Sequence, residues 1–447
     1  MGWCTRGFVA TIAAAAGVAL TVPAILGQSA TVSPAQRLSV SDAYYIRLIL
    51  RNAYESVKDH YYDRAFHGLD WDARFKEFDD QLKSASSVDA GQMVVAQFLD
   101  GLSDSHTFFE PPPRSFQVDY GYTLGLVGDK AFILHVRPGT DAASKVKAGD
   151  RAVTLNGYDI DRAGFHKLQY ILNALAPRSS TTLVLGDEAG LERTVTVAAT
   201  VHQRRIARLL TNGNEISDVT RQSEEAVRQR QSRHVERGEV MLWKLPVFFA
   251  EPDEIDGLFA IATKHAGLIL DLRGNPGGRV DTLARMLGNV FDHDVPIGTR
   301  ATRDGARTLN APTRGRHAYT GKLIVLVDSG SGSAAELFAR VIQLEHRGLV
   351  IGDRSAGAVM EARPYVFALG NDNQRQYAIS VTDADIIMRD GMSLERLGVM
   401  PDELLQPSAQ DLATGRDPVL ARAAQLAGLT LDPVAAGKLF PFEWHTL

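Results

Sequence analysis

The 447-residue sequence predicts an α/β protein with several structural units, and three observations support this fold class. Residues 267–283 and 323–343 each run from an apolar, β-branched strand pattern through a turn of small residues into a helical pattern, which is typical of an α/β core. Residues 41–99 carry apolar side chains at helical spacing, which predicts a helical region. Residues 116–200 alternate short strand patterns with glycine turns and form a third kind of segment.

The composition is that of an ordinary soluble globular protein, with 45% hydrophobic and 23% charged residues. A formal net charge of −5 gives no general argument for binding nucleic acid. No stretch resembles a zinc-binding or phosphate-cradling motif, so we expect neither a metal nor a cofactor. The length allows two or three domains.

Residues 1–30 predict a secretory signal peptide. Arg6 supplies the positive charge, residues 8–26 are nearly uncharged and apolar, and cleavage is expected after Gly27 or Ala30. An uncleaved membrane anchor is the alternative, because the apolar run approaches the length of a span. The only cysteine, Cys4, would leave with the signal, so the mature chain would have no disulfide and no thiol nucleophile. We therefore expect an exported protein, periplasmic or extracellular.

The remaining segments follow in order. Residues 31–113 predict a helical region whose first helix Ser41 can cap and whose end carries three consecutive prolines at 111–113, which forbid further helix. Residues 114–200 form the strand-rich unit. Residues 201–237 are charged and read as a solvated linker helix, with a basic patch for an acidic partner as the alternative. Residues 238–410 form the main core, and residues 411–447 form a tail with one amphipathic helix over 417–426.

A candidate nucleophile lies in the stretch VDSGSGSAAELFARVIQ, residues 327–343. Ser333 is expected where the turn enters a helix, among backbone N–H groups that no helical carbonyl satisfies. Such groups can bind the oxyanion that forms when a serine attacks a carbonyl. The alternative is that Ser333 only caps the helix.

Glycines at residues 274–278 end the strand of the stretch GLILDLRGNPGGRVDTL. The backbone N–H of Gly277 or Gly278, together with that of Ala334, could complete an oxyanion hole. The alternative is an ordinary turn between a strand and a helix.

Two further stretches supply a candidate base and a carboxylate. His106 follows Ser105 just before the prolines, and a histidine is the usual base for a serine. Glu395 lies in MSLERLGVMPDE, residues 392–403, and could orient the histidine directly or through a hydroxyl. A surface or packed histidine and a solvated glutamate are the alternatives.

Together these stretches resemble the carboxyl-terminal processing (tail-specific) peptidases and their tricorn-core relatives. The resemblance runs from about Ser41 to Pro407 and includes the Asp-x-His-Thr segment, DLRGNPGG, the Ser-Gly-Ser-Ala-Ala-Glu turn and the ending GVMPD. It implies a crotonase-like (ClpP/crotonase) β-β-α catalytic core with an inserted PDZ domain and a helical N-terminal region. It also implies that the serine of the turn, here Ser333, is the nucleophile.

One departure from the family pattern concerns the mechanism. The bacterial processing branch uses a serine–lysine dyad, and in the segment GDRSAGAV, residues 352–359, Ala358 occupies the lysine's position. Alanine cannot accept a proton. The resemblance therefore favours the tricorn-like branch, whose histidine, adjacent serine and glutamate match His106, Ser105 and Glu395.

The segment 114–200 resembles a PDZ domain through PGTDA, AGDRAVTLNG and the glycine-containing residues 121–125. The resemblance implies a groove that binds an extended peptide by strand addition and holds its terminal carboxylate on backbone N–H groups of Tyr122, Thr123 and Leu124. A small sandwich without a ligand is the alternative.

The sequence thus predicts an exported serine peptidase that acts on protein or peptide substrates with a free C-terminus. It predicts no nucleic-acid partner and no membrane span once the signal is removed. One alternative is a silent relative that carries peptides or apolar ligands. Another is an adaptor led by the PDZ domain, with the core as scaffold.

Overall fold

The computed structural model describes residues 38–187, 190–203, 231–369 and 375–444. The predicted signal peptide lies outside the described residues. Within the described ranges, no helix combines the length and the apolar character needed to cross a membrane.

The helices of the described ranges fall into an N-terminal group, one in the strand-rich unit, three in the core and three in the tail. They are α1 (Val40–His60), α2 (Trp71–Leu82), α3 (Val88–Asp100), α4 (Phe165–Tyr170), α5 (Pro252–Ala262), α6 (Val280–Gly288), α7 (Ala334–Leu344), α8 (Ala409–Thr414), α9 (Pro418–Leu426) and α10 (Pro433–Gly437).

The strands form two larger sheets in the core and one in the strand-rich unit, with a separate pair beside that unit. They are β1 (Phe108–Glu110), β2 (Phe116–Asp119), β3 (Tyr122–Val127), β4 (Lys130–Val136), β5 (Arg151–Leu155), β6 (Tyr158–Asp159), β7 (Ser180–Gly186), β8 (Glu192–Ala198), β9 (Thr200–Gln203), β10 (Arg233–Arg237), β11 (Val240–Lys244), β12 (Gly267–Asp271), β13 (Val295–Thr302), β14 (Gly305–Ala311), β15 (Lys322–Val327), β16 (Leu349–Gly352), β17 (Met360–Leu369), β18 (Arg375–Ile387) and β19 (Glu403–Leu404).

The first core sheet has the strand order β10-β11-β12-β15-β16-β19, and its strands are parallel except for β10. Helices cover both faces. Alternate residues of β15, such as Val325, pack under α5, α6 and α7, while Ile324 and Leu326 pack against α9 and α10. This double burial explains why the strands read as continuous apolar runs in the sequence.

The second core sheet is antiparallel, with the order β1-β18-β13-β14 and with β17 paired to β18. Its β18 side chains Tyr377, Ile379 and Val381 pack into the core of helices α1, α2 and α3. Since β1 directly follows the loop that carries Ser105 and His106, pairing of β1 with β18 fixes that loop against the core.

Residues 116–203 form the strand-rich unit, whose sheet has the order β3-β4-β5-β7-β8 with β6 paired to β5. The unit touches the core near the candidate nucleophile, because the Ser329 hydroxyl donates to the Leu126 carbonyl at 2.7 Å. Arg162 donates to the carbonyls of Gly128 and Ser355 at 2.9 and 3.1 Å. The PDZ identity of this unit stays a prediction.

Three local expectations differ from the structure. Ser39, not Ser41, caps α1 through a bond to the Asp42 N–H. Residues 233–237 of the expected linker helix form strand β10, because pairing with β11 extends the core sheet. Residues 204–230 of that linker lie outside the described residues. The tail contains three short helices rather than one.

Candidate active site

Ser333 lies at a sharp turn between β15 and α7. Every residue of β15 except Lys322 is buried, and so are the α7 side chains that pack beneath it, so both flanks of the turn are fixed. The backbone of Ser333 has φ 51° and ψ −118°, a left-handed conformation that is costly for a residue with a side chain. The surrounding structure therefore holds this serine in a strained, partly exposed position at the end of a buried strand.

The hydrogen bonds at the start of α7 involve Ser333. The N–H groups of Glu336 and Leu337 bond to the Ser333 backbone carbonyl, at 2.9 and 3.0 Å. No separate cap bond from the hydroxyl is present in the described ranges, but Ser333 and Glu336 form a capping box, in which the Glu336 side chain accepts from the Ser333 N–H at 3.0 Å. Ser333 thus occupies the N-cap position, and this geometry is compatible both with the N-cap alternative and with a reactive hydroxyl.

The glycine turn at residues 274–278 packs directly on the nucleophile turn. A β-carbon added to Gly277 would lie 2.5 Å from Ser333 Cβ and 2.9 Å from the Ala334 nitrogen, so only glycine fits. Gly277 also has φ 102°, which favours glycine. The two turns are thus in van der Waals contact.

The expectation for the Gly277 N–H needs correction. This N–H donates to Asn275 Oδ1 at 2.8 Å, and Asn275, which is fully buried, is itself anchored by its Nδ2 to the Leu245 carbonyl. Within the described ranges, the N–H groups of Gly278 and Ala334 have no hydrogen-bond partner. The available oxyanion donors are therefore those of Gly278 and Ala334.

Ser105, His106 and Glu395 form a continuous hydrogen-bonded chain across 290 positions of sequence. The Ser105 hydroxyl donates to Glu395 Oε2 at 2.8 Å, and its oxygen lies 2.7 Å from His106 Nδ1. A hydroxyl has only one hydrogen, so when Glu395 is ionised and accepts that hydrogen, the Nδ1–H of His106 donates to Ser105. This tautomer leaves Nε2 with a free lone pair, as a general base requires.

Burial shifts the pKa values of the two titratable groups in this hydrogen-bonded chain, His106 and Glu395. It lowers the pKa of His106 below its ordinary value, opposed by the negative charge of Asp104, so the ring is uncharged at neutral pH. Burial raises the pKa of Glu395 to about 7, against the hydrogen bonds from the Val359 N–H and from Ser105. The site therefore contains a neutral imidazole and a carboxyl group that titrates near neutrality.

One peptide group connects the nucleophile turn to Glu395. The Ser333 N–H donates to the Ala358 carbonyl at 2.9 Å, and the N–H at the other end of that peptide group, Val359, donates to Glu395 Oε2 at 2.9 Å. The distance from the Ser333 nitrogen to that carboxylate oxygen is thus at most about 8 Å, given the dimensions of a peptide group. Within the described ranges, no hydrogen bond joins the Ser333 hydroxyl to the His106 ring, and such bonds in unliganded sites often form only with substrate.

Glu336 is a site residue that the sequence analysis did not single out. Its side chain is fully buried and accepts four hydrogen bonds: from the Ser333 and Ala358 N–H groups at Oε2, and from the Ser355 hydroxyl and the Gly357 N–H at Oε1. Burial raises its pKa, while these donors oppose that shift. The three-residue spacing from Ser333 to Glu336, that of a capping box, is the signal that could have identified it.

Asp104 is a second residue that the sequence analysis left without a role, although it begins the Asp-x-His-Thr segment. Its carboxylate accepts hydrogen bonds from the backbone N–H groups of His106 and Thr107. Asp104 therefore shapes the loop that carries the candidate base.

The residues expected to bind a peptide carboxylate lie on strand β3, at the edge of the strand-rich sheet. Tyr122 is buried, and its hydroxyl contacts Thr181 Oγ1 at 2.8 Å. The Leu124 carbonyl accepts a hydrogen bond from Gln169, which lies on helix α4. Thr123 pairs with His135 of β4. Strand β3 and helix α4 therefore flank one another, and among the described residues β3 pairs with β4 alone.

Metal-ligating side chains do not cluster in the part of the chain that the structure describes. Groups of three or more His, Cys, Asp or Glu residues with the geometry of a metal site do not occur there. The chemistry described above uses side chains and backbone groups only.

Two family models match the chain. Residues 242–405 match the model described as Peptidase family S41, and residues 46–100 match the Tricorn protease C1 domain. The first match covers β11 through β19 and so includes Ser333 and Glu395, while the second covers α1 to α3.

Curated relatives are similar over most of this chain. It is 23% identical over 403 residues to a putative tricorn protease homolog 2 of Streptomyces coelicolor, which covers 84% of this chain and 32% of the relative. It is 25% identical over 383 residues to a chloroplastic C-terminal processing peptidase of Tetradesmus obliquus, which covers 81% of this chain and 77% of the relative. The chain thus spans about a third of the Streptomyces protein and about three quarters of the algal one.

Solved structures share the fold at low sequence identity. Mature CPAF superposes with a TM-score of 0.62 at 16% identity, over 83% of this chain and 94% of that one. The photosystem II D1 C-terminal processing protease gives a TM-score of 0.52 at 20% identity, over 88% and 99%. Residues 242–405 of this chain are therefore similar to peptidase family S41 and residues 46–100 to the tricorn protease C1 domain, and the solved structures share the fold.

Proposed function

We propose that the chain is an exported serine peptidase that cleaves peptide bonds with Ser333 as nucleophile and His106 as general base. The relatives named as processing peptidases and tricorn homologs support the reaction class. The observation that carries the proposal is the hydrogen-bonded chain from Glu395 through Ser105 to His106, which leaves Nε2 as the free base. A protein that only carried ligands would not need an imidazole fixed in this tautomer.

In the proposed mechanism His106 Nε2 takes the proton of the Ser333 hydroxyl as its oxygen attacks the substrate carbonyl. The N–H groups of Gly278 and Ala334 donate to the oxyanion of the tetrahedral intermediate. His106 then protonates the leaving amine, and the acyl-enzyme is hydrolysed by water with His106 again as base. Glu395 acts through the Ser105 hydroxyl to hold the ring in the required tautomer.

Ala358 has no side-chain role in this mechanism. A serine–lysine reaction needs an amine at that position, and a methyl group cannot accept a proton. The backbone of residue 358 still contributes, because its carbonyl bonds to the Ser333 N–H. The proposal therefore depends on His106 as the only base.

Strand β3 and helix α4 of the strand-rich unit would bind the substrate's C-terminal segment. An extended peptide could add to the free edge of β3, with its carboxylate on the N–H groups of Tyr122, Thr123 and Leu124. Such binding would supply energy remote from the scissile bond. Fluorescence anisotropy with the Ser333→Ala protein tests this: a labelled peptide with a free C-terminus should bind at least tenfold more tightly than its C-terminal amide, and equal affinities would count against the idea.

A fluorophosphonate probe tests the reaction directly. The wild-type protein should be labelled at Ser333, and His106→Ala should slow labelling by orders of magnitude, as removal of a triad base does. Ser329→Ala is the matched control, since Ser329 lies in the same turn but its hydroxyl bonds to a backbone carbonyl; it should still be labelled. A folded wild-type protein that resists the probe would instead favour the alternative, a silent binder of peptides or apolar ligands.

A further inference from the structure

Asp104 is a charged group that the proposed mechanism does not use, although it immediately precedes Ser105. One carboxylate oxygen, Oδ1, accepts hydrogen bonds from the N–H groups of His106 at 2.9 Å and Thr107 at 2.7 Å, and from the Thr382 hydroxyl at 2.7 Å. The other oxygen, Oδ2, accepts a hydrogen bond from the Tyr61 hydroxyl at 2.9 Å. Four donors therefore converge on this one side chain.

These bonds join the loop that carries His106 to two other parts of the fold. Tyr61 follows the last turn of α1 and is fully buried, while Thr382 belongs to β18. Thr107 returns a bond to β18, because its Oγ1 accepts from the Thr382 N–H at 3.0 Å. The carboxylate of Asp104 thus ties the catalytic loop to one helix and one strand.

The position of Asp104 also matters for charge. Because its Oδ1 bonds to the backbone N–H of His106, the carboxylate lies within about 7 Å of the imidazole by covalent geometry. Glu395 meets the ring only through the Ser105 hydroxyl, and since its pKa is about 7 it is only partly ionised at neutral pH.

The other titratable groups around the loop are acids, phenols and His67, whose ring contacts the Tyr62 hydroxyl at 2.8 Å and the Leu102 carbonyl at 2.9 Å. Tyr61 and Tyr62 have pKa values raised by burial and by neighbouring carboxylates, which include Asp63 and Asp385. Both phenols are therefore neutral at pH 7. Of the charged groups, Asp104 is the one whose field opposes the lowering of the His106 pKa by burial.

We propose that Asp104 is a positioning residue for His106, whose negative charge stabilises the imidazolium that forms when Ser333 loses its proton. Glu395 and Ser105 then set the tautomer of the ring, and Asp104 supplies most of the compensating charge at neutral pH. This division of roles deepens the proposed peptidase mechanism and rests on it.

The variant Asp104→Asn separates charge from geometry. The amide oxygen can replace Oδ1 and accept the same three donors, and the amide nitrogen can donate to the Tyr61 oxygen, since a phenol both donates and accepts. The fold of the loop should therefore survive while its charge is lost. Asp100→Asn is the matched control, because the Asp100 side chain at the end of α3 pairs with Lys167 at 2.5 Å, and only its backbone carbonyl, which the variant keeps, bonds to the loop, at the Ser103 N–H.

Two measurements decide the proposal. In an NMR titration of His106, performed in the Ser333→Ala background, Asp104→Asn should lower the histidine pKa by roughly one unit, and kcat/KM in the active enzyme should fall on the order of tenfold with KM unchanged. Asp100→Asn should change neither quantity. The NMR titration needs no turnover, so it tests the charge of Asp104 even if the peptidase proposal fails.

Three outcomes would overturn the proposal. An unchanged His106 pKa in Asp104→Asn would show that Asp104 exerts no electrostatic effect. A changed pKa with an unchanged rate would show that the charge is irrelevant to turnover. Full activity in Asp104→Asn with loss in Asp104→Ala would reduce Asp104 to a backbone anchor.

Discussion

The raised pKa of Glu395 predicts an unusual dependence of stability on pH. The ordinary pKa of a glutamate is 4.5, and burial raises that of Glu395 to about 7. Between these values the folded protein holds a proton that the unfolded chain has released. The free energy of unfolding should therefore fall as the pH rises through this window, by about 1.4 kcal/mol per pH unit or about 3 kcal/mol in total. Below pH 4.5 the contribution of this group is fully present.

The variant Glu395→Gln isolates this effect. Its amide does not titrate, and the amide nitrogen, which cannot accept the bond that one carboxylate oxygen now accepts, adds an offset that is independent of pH. From pH 4.5 to pH 8, the free energy of unfolding of the wild type should fall by about 3 kcal/mol more than that of the variant. Urea unfolding followed by tryptophan fluorescence measures it, since Trp243 is fully buried in the core. Ser333→Ala should be the common background, to prevent self-digestion.

The same ionisation should appear in the activity. The wild-type kcat/KM should rise with pH around a midpoint near 7, because the Ser105 hydroxyl donates best to an ionised Glu395 while His106 is already neutral. Stability curves of wild type and Glu395→Gln that run parallel from pH 4.5 to 8 would refute the reasoning, because they would mean that the carboxyl group has an ordinary pKa.

Three other variants have expected outcomes. Gly277→Ala should abolish fluorophosphonate labelling, because its β-carbon would overlap the nucleophile turn, whereas Gly274→Ala, at a φ of +68° with open space around it, should cost only about 1 kcal/mol of stability and keep labelling. Glu336→Gln should lower the free energy of unfolding by about 3 kcal/mol and slow fluorophosphonate labelling, because its amide nitrogen would face buried backbone N–H donors such as those of Ser333 and Ala358. Unchanged labelling would contradict this. Arg273→Ala should destabilise the protein by roughly 3 kcal/mol at pH 7, because the buried Asp271 would keep only Lys244 as a cationic partner. The loss should shrink as the pH falls and that carboxylate is protonated, and an equal loss at pH 3 would contradict this.

The sequence supports prediction of those features that local chemistry determines. The run of small residues between an apolar strand and an amphipathic helix locates the turn of Ser333, and the segment with the three prolines, which follows β1, contains no helix. The double burial of the core strands also follows from their unbroken apolar runs. In each case the deciding residues are neighbours in the chain.

Features that depend on distant residues could not be predicted in the same way. The Gly277 N–H is occupied because a carbonyl of another segment, that of Leu245, orients the side chain of Asn275. The role of Glu336 arises because residues 355–358 fold against the start of α7, and nothing in the local pattern indicates that contact. The charges and donors of such groups follow from tertiary packing.

The segment 355–359 explains how one fold can accommodate a lysine or an alanine at position 358. The contacts that hold residues 357–359 beside Ser333 are made by the backbone: the Gly357 and Ala358 N–H groups bond to Glu336, the Ala358 carbonyl bonds to the Ser333 N–H, and the Val359 N–H bonds to Glu395. None of them uses the side chain of residue 358. The sequence resemblance implies a lysine at this position in serine–lysine relatives, and an alanine in its place would remove that base without removing any of these bonds. The architecture of the turn can persist, provided that another segment delivers a base, and here the loop of Ser105 and His106 meets the same peptide group through Glu395.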